Sequence, residues 1–493
     1  MPELDHRIPE ELPRRLLVGG EWVDASDGAT FEVTNPADGA VLASVADGSP
    51  ADGDRALAAA AAAQRDWART DPRERSEILR RAFELLVERA EDVARLMTLE
   101  MGKPLAESRG EVAYGAEFLR WFAEEAVRIH GRWSVAPAGG TRLVTMKSPV
   151  GPTLMITPWN FPLAMGTRKI GPAVAAGCTM VVKPAHETPL TMLALADLMG
   201  EAGLPPGVLN VVTTTRSGEV AEPLIRDPRL RKLTFTGSTA VGKKLAEQAA
   251  EQLLRVSLEL GGNAPFLVFA DADLGAAVDG AMLAKMRNIG EACTSANRFL
   301  VHESVAEDFS RRLAERMGAL VVGDGTEDGV QVGPLITAKA QAGVHELVTE
   351  AVSSGARALT GGQVGEGAGH FYPPTVLVDV PDGARVLREE IFGPVAPVTT
   401  FRTEDEAVAR ANDTEYGLVA YVFTRDHARV VRVSEALEFG MVGINTGIVS
   451  NPAAPFGGVK HSGYGREGGF EGIEEYLETK YVGMAVPEQG DGQ

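Results

Sequence analysis

From residue 150 to 260 the chain alternates short β-rich runs with segments of helical spacing. PTLMIT (152–157), TMVVK (179–183), VLNVV (208–212), KLTFT (232–236) and LRVSLEL (254–260) read as strands. TPLTMLALADLMGEAGL (188–204) and TAVGKKLAEQAAEQ (239–252) read as helices between them, with Gly and Pro marking the joins. Such alternation predicts an α/β fold with a parallel sheet covered on both faces, and ligands at the C-terminal ends of its strands. A second α/β pattern starts near the Gly261–Gly262 pair, with strands at 265–269, 297–302, 396–401, 418–424 and 441–446 and a helix at 304–320. Residues 60–130 read as largely helical, while 140–151 and the end of 474–486 read as strands outside both patterns. Lone strands need partners, so these two predict an arm that pairs across subunits of a homo-oligomer.

The length of 493 residues exceeds what one compact core holds. The formal net charge of −20 argues against nucleic acid as a partner. The Ala-rich stretch 55–70 has charged flanks and is too short an apolar run to span a membrane. Residues 1–20 carry acids and prolines where a secretory leader is apolar, so a cytoplasmic location is expected. Two cysteines make no disulfide framework, and the 8 histidines show no zinc spacing, so no metal is expected.

Several stretches carry candidate chemistry. GSTAVGKK (237–244) is one residue short of a phosphate-binding P-loop, because Lys244 stands where a Ser or Thr would hold Mg²⁺. Gly237 and Ser238 still open a helix after a strand, which suits either a pyrophosphate or a plain N-cap. In ITPWNFP (156–162) prolines bracket Trp159, Asn160 and Phe161; Asn160 reads as a turn residue or as an amide aimed at a developing oxyanion. Glu259 lies among Leu258 and Leu260, either bridged to a base or acting as a general base. Glu390 in LREEIFGPV reads as a surface acid or a ribose ligand, and Lys183 as a solvated lysine or a ribose or phosphate ligand. In RNIGEACTSANRF (287–299) Cys293 follows an acid by two positions and an arginine by six. Cys178, at the start of a predicted strand, reads as a buried apolar filler.

Taken together, PWNFP, FTGST, LELGGNAPFLVF, GEACTSANRFLV, EEIFGPV and PFGGVKHSGYGREGG resemble the aldehyde dehydrogenase superfamily in order and spacing, from about residue 15 to 486. AMGTRKIGPAVAAGCTMVVKPA, KMRNIG and GMVGINTGIVSNPAAPFGGVKHSGYGREG bring the likeness closest to its succinate-semialdehyde dehydrogenases. The resemblance implies a Rossmann-type dinucleotide-binding domain (1–130 and 150–261), an α/β catalytic domain (262–462), and an oligomerisation arm with C-terminal tail (131–149 and 463–493). It implies oxidation of a semialdehyde acid through Cys293 as nucleophile, Asn160 and the Cys293 N–H as oxyanion donors, and Glu259 as the base that activates water. It places Ile156, Pro158, Trp159, Asn160, Lys183, Ala185, His186, Gly237, Ser238, Leu260, Glu390 and Phe392 around NAD(P). His186 lacks the charge that would repel a 2′-phosphate, which leans the expectation to NADP, while Glu187 beside it works the other way. Arg168, Arg287 and Ser450 match positions that hold the substrate's far carboxylate. A structural ion pair is the competing reading of those arginines, and glutarate semialdehyde the competing substrate. Glu291 stands where the family usually has Gln; a carboxylate there would raise the thiol pKa, so it is expected to point away into a loop contact. Ser295 occupies the place of a second cysteine found in some relatives, which removes a disulfide switch.

Overall fold

The computed structural model describes residues 8–365 and 368–486; residues 1–7 and 487–493, the ends of the first and third expected parts, lie outside them. Two large sheets carry the architecture. In the first, the strands run in the order Gly463–Tyr464, Arg255–Glu259, Lys232–Thr236, Thr153–Ile156, Met180–Lys183, Leu209–Val211, Leu16–Val18 and Glu21–Val23. The middle five are parallel, and both edges are antiparallel. The four strands between Lys232–Thr236 and Leu209–Val211 are buried along their whole length, as a sheet covered on both faces requires.

The second sheet runs Arg357–Thr360, Thr375–Val378, Val395–Phe401, Ala296–His302, Ala264–Val268, Val419–Phe423 and Met441–Ile444. All its pairings are parallel except that of Arg357–Thr360. Phe266 anchors its core, within 5.2 Å of Phe299 and 4.9 Å of Phe423. A separate three-stranded antiparallel sheet joins Arg132–Val135, Thr141–Pro149 and Leu477–Ala485. The two predicted lone strands are therefore partners of each other, in register from Leu477 opposite Pro149 to Ala485 opposite Thr141. Pairing within the chain does not bury the faces: Trp133 is 64% and Tyr481 62% exposed.

Two features depart from the sequence expectation. Gly463–Tyr464, assigned to the arm by the expected boundary at 462, pairs instead with Leu258 and Glu259 at the edge of the first sheet. Leu16–Val18 and Glu21–Val23, too short to announce themselves by alternation, close its other edge. The helices obey local rules. Ser49 and Asp52 form a capping box ahead of Pro50–Trp67. Gly177, at φ +89°, ends Ala164–Ala176 in the left-handed conformation that glycine adopts without strain.

Candidate active site

Register in the first sheet brings the chemistry together. Thr236 lies opposite Glu259, and Ile156 is opposite Lys183 and Phe235, so these parallel strands finish side by side. The loop after Ile156, the helix start at Gly237–Ser238 and the Glu259 carboxyl therefore share one edge. Across the cleft stands the loop that leads into Ala296–His302. Gly261 and Gly262 allow the two to approach: a Cβ on Gly262 would run into the Cys293 carbonyl oxygen, and one on Gly261 would stand 2.8 Å from Glu390 Oε2.

The Cys293 loop is unusual backbone. Asn288, Ile289 and Gly290 have φ of 54°, 61° and 80°. Such a conformation at β-branched Ile costs on the order of 1–3 kcal/mol, so the surroundings must impose it. They do so through a clasp. Asn288 Nδ2 donates to the carbonyls of Asn160 and Glu291, both at 3.0 Å, and Asn160 Nδ2 donates to the Glu291 carbonyl at 2.9 Å. Lys103 Nζ donates to the Asn160 carbonyl at 2.7 Å and pairs with Glu111 at 2.5 Å. Glu111 in turn accepts from the N–H groups of Leu163 and Ala164, both at 3.0 Å, at the start of Ala164–Ala176.

Around a cavity of ≈ 270 Å³ the fold gathers Cys293, Glu259, Asn160, Arg168, Arg287, Ser450, Pro158, Trp159, Gly237, Ser238, Leu260, Glu390 and Phe392. Ile156, Lys183, Ala185 and His186 do not line it. Lys183 Nζ donates to Ser217 Oγ at 2.8 Å, and burial pulls the amine down to about 8. His186 Nδ1 lies 3.2 Å from Glu187 Oε2. Among residues the sequence did not single out, Tyr114, Met165, Thr236 and Phe456 also face the cavity. Tyr114 and Met165 sit on ordinary helical patterns that carry no sign of a site.

Burial dominates the electrostatics. The Cys293 thiol is pushed up to about 12, by burial first and then by the negative fields of Glu390 and Glu259, with Arg168 and Arg287 opposing. Its side chain keeps partial access to the cavity. Glu259 is 3% exposed, and neither carboxyl oxygen has a hydrogen-bond partner among the described residues. Burial, and next the charge of Glu467, hold it well above the usual carboxylate range. No base bridges it at salt-bridge distance among the described residues, which disfavours the bridged reading of Glu259. Glu467 belongs to Arg168, at 2.6 Å, and to Lys169; these cations outweigh burial and keep its pKa low.

The two arginines separate. Arg168 is half committed to Glu467 and stacks 4.0 Å from the Phe456 ring, leaving Nη2 without a partner. Arg287 pairs with no carboxylate among the described residues; Nη1 donates to Ser450 Oγ at 3.4 Å, and the guanidinium lies 5.0 Å from the Phe161 ring. The Gly237 N–H, expected to be open to a phosphate, is taken by the Glu259 carbonyl at 3.0 Å because Gly237 continues the strand ladder. Ser238 caps Thr239–Ala250, and the N–H groups beyond it are left at the helix start. Glu390 accepts from Gly262 N–H at 3.0 Å, and burial raises its carboxyl to about 7. Cys178 is buried, with Sγ 3.4 Å from the Tyr476 carbonyl.

Comparison with known proteins gives this arrangement its class. The chain superposes with a TM-score of 0.95 on the crystal structure of an Escherichia coli NADP-dependent enzyme, at 52% identity over 96% of this chain and 98% of that one. It does so with 0.96 on succinate-semialdehyde dehydrogenase from Burkholderia pseudomallei, at 49% identity over 97% and 100%. The aldehyde dehydrogenase family pattern matches residues 22–482. The chain belongs to the aldehyde dehydrogenase family, whose members are NAD(P)-dependent oxidoreductases of small-molecule aldehydes. Among its relatives, succinate-semialdehyde dehydrogenase of Paenarthrobacter nicotinovorans is 62% identical over 91% of this chain and 99% of its own length. Glutarate-semialdehyde dehydrogenase of Pseudomonas putida is 53% identical over 96% and 98%. No helix among the described residues is long and apolar enough to cross a membrane.

Glu291 turns out of the cavity: Oε1 accepts from Ile336 N–H at 3.2 Å, and burial holds the carboxyl well above its usual range. A carboxyl so placed carries little charge toward the thiol. Glu291→Gln is accordingly expected to keep kcat/KM within a few-fold of the parent enzyme; a gain or loss beyond about tenfold would show that the acid acts on Cys293.

Proposed function

We propose that this protein oxidises succinate semialdehyde, or a close semialdehyde acid such as glutarate semialdehyde, to the corresponding dicarboxylic acid with NAD(P)+. The observation that carries the substrate class is Arg287: a guanidinium without an acidic partner, beside Ser450, facing the same cavity as the thiol. An aldehyde with a remote carboxylate supplies the missing anion. The names of the two relatives above agree with this choice.

Cys293 gives its proton to solvent and attacks the carbonyl carbon as its thiolate, forming the C–S bond as the carbonyl oxygen becomes negative. The second N–H of the Asn160 amide and the Cys293 backbone N–H hold the oxygen that becomes negative. After oxidation the acyl group remains on sulfur as a thioester. Glu259, with both oxygens unengaged, takes a proton from water as that water attacks the thioester; the acid leaves and the thiol is restored.

The dinucleotide fits the remaining walls. The helix start after Ser238 offers N–H groups to a pyrophosphate, and the Glu390 carboxylate, kept facing the cavity by Gly261, offers an acceptor for ribose hydroxyls. When bound, its nicotinamide supplies the two-electron acceptor. NADP is the favoured form, since position 186 is His and a 52% identical relative from Escherichia coli is named for NADP(+); Glu187 beside it keeps NAD in play. A cytoplasmic location belongs to the same reading, as does the expected domain division apart from Gly463–Tyr464, which pairs into the first sheet. The exposed Trp133 and Tyr481 on the three-stranded sheet support a homo-oligomer built through that face.

Cys293→Ala is expected to abolish cofactor reduction with succinate semialdehyde. Glu259→Gln is expected to give a burst of about one reduced cofactor per site and then turnover at least ~10²-fold slower. Because burial raises the Glu259 carboxyl, its base form gains as pH rises; wild-type turnover therefore increases from acid toward alkaline pH, and a flat profile would remove Glu259 from the role. Arg287→Ala is expected to lower kcat/KM for succinate semialdehyde by roughly 10²-fold while butanal changes less than about threefold; an unchanged preference for the carboxylated aldehyde would rule out the clamp. Trp133→Asp combined with Tyr481→Asp is expected to elute as a monomer, and an unchanged assembly would reject that face as the interface.

A further inference from the structure

The wall beside Arg287 holds one more polar group. Tyr114, on the helix Leu105–Glu125, lines the cavity with its ring set edge-on against Phe118, centroids 5.0 Å apart at 74°. The Arg287 guanidinium lies 5.5 Å from that ring. The Tyr114 hydroxyl is buried and makes no hydrogen bond of good geometry among the described residues, although Ser450 lies close enough to engage it. Ser450 and the guanidinium groups of Arg168 and Arg287 are close enough to act on it. Buried hydroxyls are normally satisfied, so one without a well-formed partner, on a residue that lines the cavity, suits a ligand there. With cations beside its lone pairs, what the phenol has left to give is its proton.

Charge counting says which ligand. Glu467 shares its one negative charge between Arg168 and Lys169, while Arg287 has no acidic partner among the described residues, so this end of the cavity is net positive, with the Ser450 and Tyr114 hydroxyls beside it. That set suits an anion with several acceptor positions, such as a carboxylate.

We propose that the Tyr114 hydroxyl is a specificity-determining donor, joining Arg287 and Ser450 in receiving the remote carboxylate of the substrate. The inference rests on the semialdehyde reading above. Burial pushes the phenol up, so it stays protonated and able to donate at all ordinary working pH values. The packing of its ring against Phe118 fixes where the hydroxyl oxygen stands before the substrate arrives.

The test compares Tyr114→Phe with the parent enzyme on succinate semialdehyde and on butanal, which has the same carbon count and no carboxylate. The expected result is a KM for the semialdehyde raised about tenfold with kcat nearly constant, and butanal kinetics within about twofold. The thermal midpoint should hold or rise, because a buried hydroxyl without a well-formed partner has been removed. An unchanged semialdehyde KM would overturn the inference by showing the hydroxyl idle. Equal losses on both aldehydes with a lower midpoint would overturn it by showing a packing role. If the parent enzyme itself shows no preference for the carboxylated aldehyde, the semialdehyde reading fails and takes this inference with it.

Discussion

The buried pair between Lys103 and Glu111 holds the active centre together. Two charges removed from water are costly, and breaking such a pair by removing one partner costs about 3–5 kcal/mol. Here each member spends its remaining hydrogen-bonding capacity on backbone that matters. Glu111 closes the start of the helix Ala164–Ala176, and Lys103 pins the Asn160 carbonyl. From Asn160 the restraint passes through its own amide and that of Asn288 to the Glu291 carbonyl, two residues from the thiol. A residue pair remote in sequence thus dictates the geometry of two loops that approach from different sheets.

The same logic explains why the cleft holds so many groups in unfavourable states. Glu259 lacks partners, Arg168 has an open nitrogen and the Asn160 carbonyl oxygen Oδ1 is unbonded. Each would be expensive in an ordinary core. A rigid frame made of two parallel sheets, closed by glycines where they touch, lets those groups persist without collapsing onto one another. What a substrate and a dinucleotide meet is a set of polar atoms already aimed, with little reorganisation left to do.

Much of this was legible in the sequence. The strand–helix alternation at 150–260 and 264–446 located both sheets, because fully buried strands read as short apolar runs bounded by Gly and Pro. Thirteen of the residues expected at the site line one cavity. What escaped reading did so for physical reasons. Leu16–Val18 and Glu21–Val23 are three residues each, too short for any period to appear. Glu111 and Tyr114 occupy a helix whose spacing records burial and not purpose, and Lys103 sits in the short link before that helix. That Gly237 would spend its N–H on the sheet depended on the register with Glu259, which no local pattern encodes. Lys183 and His186 lie beyond the cavity walls for a similar reason: their strand is next to the one that feeds the cleft, one step away from it.

The resting thiol carries a last consequence. Burial, with Glu390 and Glu259 nearby, holds the Cys293 thiol toward its protonated, less nucleophilic form. An enzyme that handles electrophiles lives among many others: peroxides, quinones and stray carbonyl compounds that alkylate or oxidise exposed thiolates. Here the acids and apolar walls around Cys293 favour the thiol over the thiolate. Selectivity therefore begins before any substrate is recognised, with a sulfur held in its less reactive form.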